Sequence, residues 1–247
     1  MEIVKGNFGE CHFIDCFKEL PTLQDQQFDL CLTDPPYNIA YNPHHQENRK
    51  TDKIHACGKA HKYEVNYQDE IADYPKFCTE FYQQAIRTCK QLIFTPGNQN
   101  LGWWLNTYPP TDWGFHYRRN GKGCTHIFQF CKKEVVLFYG KYPPFCFIED
   151  VWDIYLNNGF LDKDHFVHTS PKSVNLYRMF IECTEPKAVI DPFLGSGTTA
   201  EVCEEKGIPW LGFELKIEYK QDIERRIKTG IQKYRVSHVK RLSRYAI

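Results

Sequence analysis

The tetrapeptide Asp34-Pro35-Pro36-Tyr37 gathers residue types suited to handling an aromatic amine. It closes the run Phe28-Asp29-Leu30-Cys31-Leu32-Thr33, and an alternating apolar run that stops at an acid and two prolines predicts a strand ending in a rigid loop. Pro35 confines Asp34 to extended conformations and Pro36 does the same to Pro35, so the Asp34 carboxylate and the Pro35 carbonyl are held in a fixed relation. An acceptor pair beside the Tyr37 ring suits a planar ring that carries an NH2 group. A stiff turn after a strand uses the same residue types, and the tetrapeptide alone does not separate the two readings.

A second stretch, Asp191-Pro192-Phe193-Leu194-Gly195-Ser196-Gly197-Thr198-Thr199-Ala200, falls at a predicted strand-to-helix junction. Its glycines remove side-chain bulk, so backbone N–H groups and a helix N-terminus can approach an anionic ligand. Glu214 ends the next predicted strand, the position that hydrogen-bonds ribose hydroxyls in doubly wound sheets. Gly195-Ser196-Gly197-x-x-Ala200 also fits a dinucleotide pattern, but the chain after Ala200 is short for the rest of such a domain. The hydroxyl-rich loop has no basic side chain and suits a carboxylate better than a pyrophosphate. No Lys follows the glycines, which excludes a P-loop.

The elements that must position these stretches follow from periodicity. Cys11–Leu20 reads as a short strand turning into a helix, and Tyr74–Lys90 as a helix with Phe77, Phe81, Ala85, Ile86 and Cys89 on one face. Leu92–Thr95 is a buried strand. Trp103–Leu105 form a short helix, and Trp113–Arg118 and Glu134–Tyr139 read as an antiparallel pair with Asn120-Gly121 as a turn signal. Then come an irregular stretch from Lys141 to His168, a helix at 175–183, a strand at 188–190, a helix at 198–206, a strand at 210–213 and a helix at 217–228. Strands alternating with helices predict an α/β fold: a doubly wound, mostly parallel sheet with an antiparallel edge hairpin.

The chain of 247 residues is long enough for one large domain, with charged residues at 25% and hydrophobic residues at 42%. No run approaches a membrane span, and the N-terminus lacks the basic start and apolar core of a signal peptide, so a cytosolic setting is expected. Eleven cysteines at irregular spacings, with no Cys-x-x-Cys pair, argue against a disulfide framework or a zinc ribbon. His44, His45, His55, Cys57 and His61 cluster in a polar stretch but fit no common zinc spacing; no metal is expected. Net charge is zero. The basic residues from Arg225 to Arg244 have no acid among them, which marks 225–247 as a basic tail suited to phosphate contact or to a solvated helix face.

Taken together, Thr33-Asp34-Pro35-Pro36-Tyr37-Asn38 and Asp191-Pro192-Phe193-x-Gly195-Ser196-Gly197-Thr198-Thr199 resemble the amino-methyltransferases of DNA, and their order resembles the β group of that family. Ile14-Asp15-Cys16, Glu134–Lys141, His168-Thr169-Ser170-Pro171-Lys172-Ser173-Val174 and Phe213-Glu214 with Tyr219 resemble further segments of it, so the likeness extends over most of the chain. Three departures stand out: Ser173 replaces a proline, Ile14 replaces a glycine, and 141–165 is short for a separate target-recognition domain.

The resemblance implies a Rossmann-like methyltransferase fold, S-adenosyl-L-methionine as cofactor and double-stranded DNA as partner. A homodimer and a cognate restriction endonuclease are the further partners it suggests. Asp34, Pro35, Pro36 and Tyr37 take the catalytic positions. Asp15, Asp34, His168, Lys172, Asp191, Phe193, Gly195, Ser196, Gly197, Thr198, Thr199, Glu214 and Leu215 take the cofactor positions. Residues 1–247 form a single catalytic domain, with 42–67 and 141–165 as DNA-recognition insertions and Arg118–Lys122 as a further contact. An Asp first in the tetrapeptide leans within the family toward adenine N6, with cytosine N4 as the alternative. Transfer to RNA or a protein amide, and an inactive cofactor-binding protein, are the readings from other classes.

Overall fold

The computed structural model describes residues 1–38, 71–118, 132–154, 166–168 and 170–244, with side chains to residue 237. Its strands are β1 (Glu2–Lys5), β2 (Gly9–Phe13), β3 (Phe28–Thr33), β4 (Cys89–Phe94), β5 (Asp112–Tyr117), β6 (Lys133–Gly140), β7 (Val151–Trp152), β8 (Val189–Asp191) and β9 (Trp210–Glu214). Its α-helices are α1 (Cys16–Glu19), α2 (Tyr74–Thr88), α3 (Leu101–Thr107), α4 (Val174–Thr184), α5 (Thr198–Lys206) and α6 (Lys220–Arg244).

Apolar residues fall on both parities of the central strands, so both faces of the sheet are buried. Leu30, Leu32, Ile93, Val136 and Phe138 pack on one face with Leu176, Phe180, Val202 and Ile223 from α4, α5 and α6. Cys31, Leu92, Phe94, Val135, Leu137 and Tyr139 pack on the other with Phe81, Ala85 and Trp104 from α2 and α3. Burial of a Leu or Phe side chain contributes about 1.5–3 kcal/mol, so these two layers supply most of the drive to fold. Helix starts are set locally. Asp73 caps α2 by accepting from the Lys76 N–H at 3.0 Å, and Ser173 caps α4 by accepting from the Leu176 N–H at 3.4 Å.

The sheet order is β1-β2-β9-β8-β3-β4-β6-β5-β7. The run β2, β9, β8, β3, β4 is parallel, while β6 is antiparallel to both β4 and β5. This matches the expected doubly wound sheet with an antiparallel hairpin. From β8 the chain returns as β9 on one side, and from β3 it returns as β4 on the other. The carboxyl ends of β8 and β3 therefore flank the point where the winding reverses, which is where open α/β sheets hold ligands.

Three features differ from the sequence reading. β1 adds an antiparallel edge beyond β2, and β7 places a short strand in the stretch read as irregular. The basic segment is not a tail: α6 continues as helix to Arg244 instead of ending at Lys228. Its packing against α5 accounts for this. Arg226 donates to Glu201 at 2.7 Å, and Lys233 reaches the same carboxylate at 2.5 Å. Two of the cations expected to face phosphate thus face the protein. The turn signal Asn120-Gly121, the cluster from His44 to His61, loop 42–67 and most of Arg118–Lys122 and of 141–165 beyond 154 lie outside the described residues. Among the described residues no helix is long and apolar enough to cross a membrane, and no three metal-ligating side chains gather.

Candidate active site at the carboxyl edge of the sheet

The pairing of β3 with β8 brings the two motifs side by side, although the chain between them is long. Thr33, the last residue of β3, donates its hydroxyl to Asp191 Oδ1 at 2.5 Å, which ties the two strand ends together. The Thr199 hydroxyl takes Oδ2 at 2.5 Å and the Phe193 N–H takes Oδ1 at 3.1 Å, so Asp191 fastens the glycine loop to its strand. Burial, the largest effect, outweighs these bonds and pushes the Asp191 carboxyl up to about 6.

Asp34 follows Thr33 and has about 24% of its side chain exposed. Its Oδ1 accepts from the hydroxyls of Tyr37 and Thr95, and the Lys172 ammonium lies 3.0 Å away on the same oxygen. All three donors converge on Oδ1, which leaves Oδ2 outside the cluster. Burial raises the Asp34 carboxyl, and the Lys172 charge works against it. Thr95 is delivered by register: Thr33 pairs with Phe94 across β3 and β4, so the next residues on each strand meet.

Lys172 precedes the cap of α4. Its ammonium donates to the Tyr37 hydroxyl at 2.8 Å and to Glu134 Oε1 at 2.5 Å, and lies 5.4 Å from the Tyr37 ring centroid. Burial alone would lower the Lys172 pKa, but Asp34 and then Glu134 hold it well above its usual value. Burial likewise would raise Glu134, but Lys172 and the bond to His116 hold its carboxyl below the usual range. His116 sits opposite Glu134 in the β5–β6 register, with Nδ1 3.1 Å from Glu134 Oε2 and Nε2 3.1 Å from the Ile154 carbonyl oxygen.

The rigid loop is anchored on the other side. The Tyr74 hydroxyl donates to the Pro36 carbonyl at 3.0 Å, and Asn100 Nδ2 donates to the Tyr37 carbonyl at 2.9 Å. Pro35 is buried. Tyr37, expected as a stacking ring, thus also bonds Asp34 through its hydroxyl.

The glycine loop crosses the end of β8 with Gly195 at φ +53° and Gly197 at φ +84°, left-handed values that favour glycine. A Cβ on Gly195 would come 3.0 Å from His168 Nε2, so the absent side chain opens the space beneath the imidazole. The backbone of Val167 and His168 is held by Asp222, and burial, followed by the charge of Lys172, lowers the His168 pKa to about 4. Ser196 and Thr198 lie with their hydroxyls 3.3 Å apart. Glu214 Oε2 accepts the Gly195 N–H and Oε1 the Lys216 N–H, each at 2.8 Å, and burial pushes its carboxyl up to about 7. Leu215 beside it is 72% exposed. Asp15 accepts from the Phe17 N–H at 3.0 Å, and the Phe193 ring packs against Phe17, Phe77 and Phe81.

Asp34, His168, Lys172, Asp191, Phe193, Gly195, Ser196 and Thr198 line one cleft with Tyr177 and Ser170. Asp15, Glu214 and Leu215 sit on the flanking strand ends, outside that lining. Carboxylates, hydroxyls and an ammonium around a glycine cradle fit a ligand that is itself a zwitterion with a cationic centre and ribose hydroxyls, as S-adenosylmethionine is. Sequence reasoning missed Thr95, Tyr177, Asn100, His116 and Asp222. Only Thr95 carried a signal, as the end of a strand parallel to β3.

Residues 116–225 match the N6/N4 DNA methylase family model. The chain is 23% identical over 248 residues to the type II methyltransferase M.HinfI of Haemophilus influenzae, covering 87% of this chain and 67% of that protein. It is 23% identical over 244 residues to M.HpaI of Haemophilus parainfluenzae, covering 83% of this chain and 69% of the relative. PvuII DNA methyltransferase (cytosine-N4-specific) shares the fold with a TM-score of 0.60 at 15% identity, covering 94% of this chain and 93% of that one. The M1.HpyAVI–SAM complex does so with a TM-score of 0.56 at 16% identity, covering 88% of this chain and 99% of that one. Over residues 116–225 the chain is thus similar to N6/N4 DNA methylases, and its fold is that of solved DNA methyltransferases.

Proposed function

We propose that this DNA amino-methyltransferase transfers a methyl group to the exocyclic N6 of adenine in duplex DNA, acting on a base turned out of the helix. The reading rests on one observation above the others. Asp34 closes β3 beside the glycine loop, with three donors on Oδ1 and Oδ2 outside their cluster. Glu214, the glycine loop, Ser196, Thr198, His168, Asp15 and Phe193 are the residues proposed to hold the cofactor, with Asp191 fastening the loop.

When bound, the cofactor supplies an electrophilic methyl on a sulfonium. An aromatic amine is a poor nucleophile because its lone pair is delocalised into the ring. Acceptors at Asp34 Oδ2 and the Pro35 carbonyl hold its hydrogens so that the lone pair is freed. Transfer of that methyl would form the N–C bond as the C–S electron pair goes to sulfur, and would place positive charge on the amine nitrogen. A fixed carboxylate in a partly desolvated site stabilises that charge, and the proton then leaves to Asp34 or water. The target base is stacked in duplex DNA, so it must be turned out to reach this edge, and the Tyr37 ring offers it a stacking surface.

Cytosine N4 presents the same amine beside a ring nitrogen and is the second reading, favoured by the cytosine-N4-specific enzyme among the similar folds. A homodimer, a cognate restriction endonuclease and a cytosolic setting complete the proposal. The test is incubation of the protein with methyl-labelled cofactor and duplex DNA, RNA or protein, followed by digestion of the DNA to nucleosides. Label in N6-methyladenine is expected. Label in N4-methylcytosine would replace the base assignment, and label in RNA or protein alone would overturn the reading.

A further inference from the structure

We propose that Glu134, braced by His116, is a positioning residue for methyl transfer: it holds the Lys172 ammonium and offsets its charge, so that Asp34 remains a strong acceptor for the amine. This rests on the methyl-transfer reading above.

An ammonium 3.0 Å from a carboxylate does two opposed things. It keeps that carboxylate ionised, and it cancels the negative charge that should meet the cation developing on the amine. With Lys172 and Asp34 alone, the pair would be electrically spent before substrate arrived. The structure adds a second carboxylate on the same ammonium, Glu134 Oε1 at 2.5 Å, with 13% of its side chain exposed. Two carboxylates then share one ammonium, and the excess negative charge lies at the edge where Asp34 Oδ2 stands outside the donor cluster.

Geometry favours positioning over chance pairing. Glu134 and His116 are cross-strand partners, and His116 is almost wholly buried, with its second nitrogen on the Ile154 carbonyl. This fixes the carboxylate on two strands of the sheet, while Lys172 is fixed separately by the cap of α4. The charged and titratable groups facing Asp34 are Lys172, Glu134, Tyr37, Tyr177 and Asp191; those facing Glu134 are Lys172, Asp34, Tyr37, His116 and Arg118. Among the described carboxylates, Glu134 is the one besides Asp34 that pairs with Lys172 directly.

Two variants test the proposal by opposite signs. Activity rises with pH as Asp34 loses its proton. Glu134→Gln removes a negative neighbour, so the acidic limb of kcat moves to lower pH, and plateau kcat falls roughly tenfold with KM for DNA little changed. Lys172→Gln removes the positive neighbour, so the limb moves to higher pH. Carboxyl-carbon NMR of the ligand-free protein reads the same shifts at Asp34 without turnover: down in Glu134→Gln, up in Lys172→Gln. Folded variants with an unmoved limb and an unmoved Asp34 titration, beside an active wild type, would overturn the role of Glu134 alone. A folded wild type that methylates no DNA would overturn the activity reading, and this proposal with it.

Discussion

Replacing Asp191 by Asn should stabilise the protein above neutral pH. Asp191 is 3% exposed, and its oxygens receive two hydroxyls and one N–H. Burial still dominates and moves the carboxyl from 3.8 to about 6. The unfolded carboxyl therefore releases its proton at lower pH than the folded one. Between about pH 4 and 6 the folded chain binds more protons, so this group's stabilising contribution is fully present below pH 4 and is lost as pH rises through 6. The gap corresponds to about 3 kcal/mol at 1.36 kcal/mol per pH unit. Asn keeps the shape without the charge, and re-pairing its amide with Thr33 and Thr199 costs about 1 kcal/mol. The variant should thus be about 2 kcal/mol more stable than the parent at pH 8, and slightly less stable at pH 4.5. Urea unfolding at several pH values, followed by tryptophan fluorescence, measures the difference directly. Glu214 is raised in the same direction, so the comparison is made between variant and parent. A parent that gains on the variant as pH rises from 5 to 8 would refute the reasoning, because ionised Asp191 would then be the favoured form. If Asp191 serves the cofactor loop, the stabler variant should also bind cofactor more weakly, a trade of stability against activity.

Other expectations follow from single contacts. Tyr37→Ala should weaken capture of the turned-out base by about 1–3 kcal/mol on the stacking scale, read in binding to DNA with an unpaired target. Tyr37→Phe should keep that stacking but remove a hydrogen bond that lowers the Asp34 pKa, moving the acidic limb of activity to higher pH. Gly195→Ala forces a side chain at φ +53° into contact with His168; calorimetry should show weaker cofactor binding and stability lower by about 1–2 kcal/mol. Gly230→Ala would set a Cβ 2.4 Å from the Glu201 carbonyl oxygen, prising α6 from α5 at a cost of about 1–3 kcal/mol in thermal unfolding.

By itself the sequence determined what is local. A strand stopped by Asp34 and two prolines, a glycine loop opening a helix at Thr198 and the alternation of strands with helices can all be read because backbone restriction and hydrophobic period act within a few residues. The helix at Thr198–Lys206 and the antiparallel pairing of β5 with β6 match in place and sense. Tertiary structure decided what depends on partners far along the chain. β1 buries only Val4, has little apolar pattern, and exists because β2 offers it an edge. The basic segment becomes a long helix because α5 supplies Glu201 to Arg226 and Lys233, a pairing that spacing along one chain does not encode. At the site, the sequence offered Asp34 and the Pro35 carbonyl as acceptors beside Tyr37 as a ring. The fold set both hydroxyls, Lys172, Glu134 and His116 around that carboxylate. Burial raises the Asp34 carboxyl while the mutual charges of Lys172, Asp34 and Glu134 override it at Lys172 and Glu134, a balance that no single residue or motif carries.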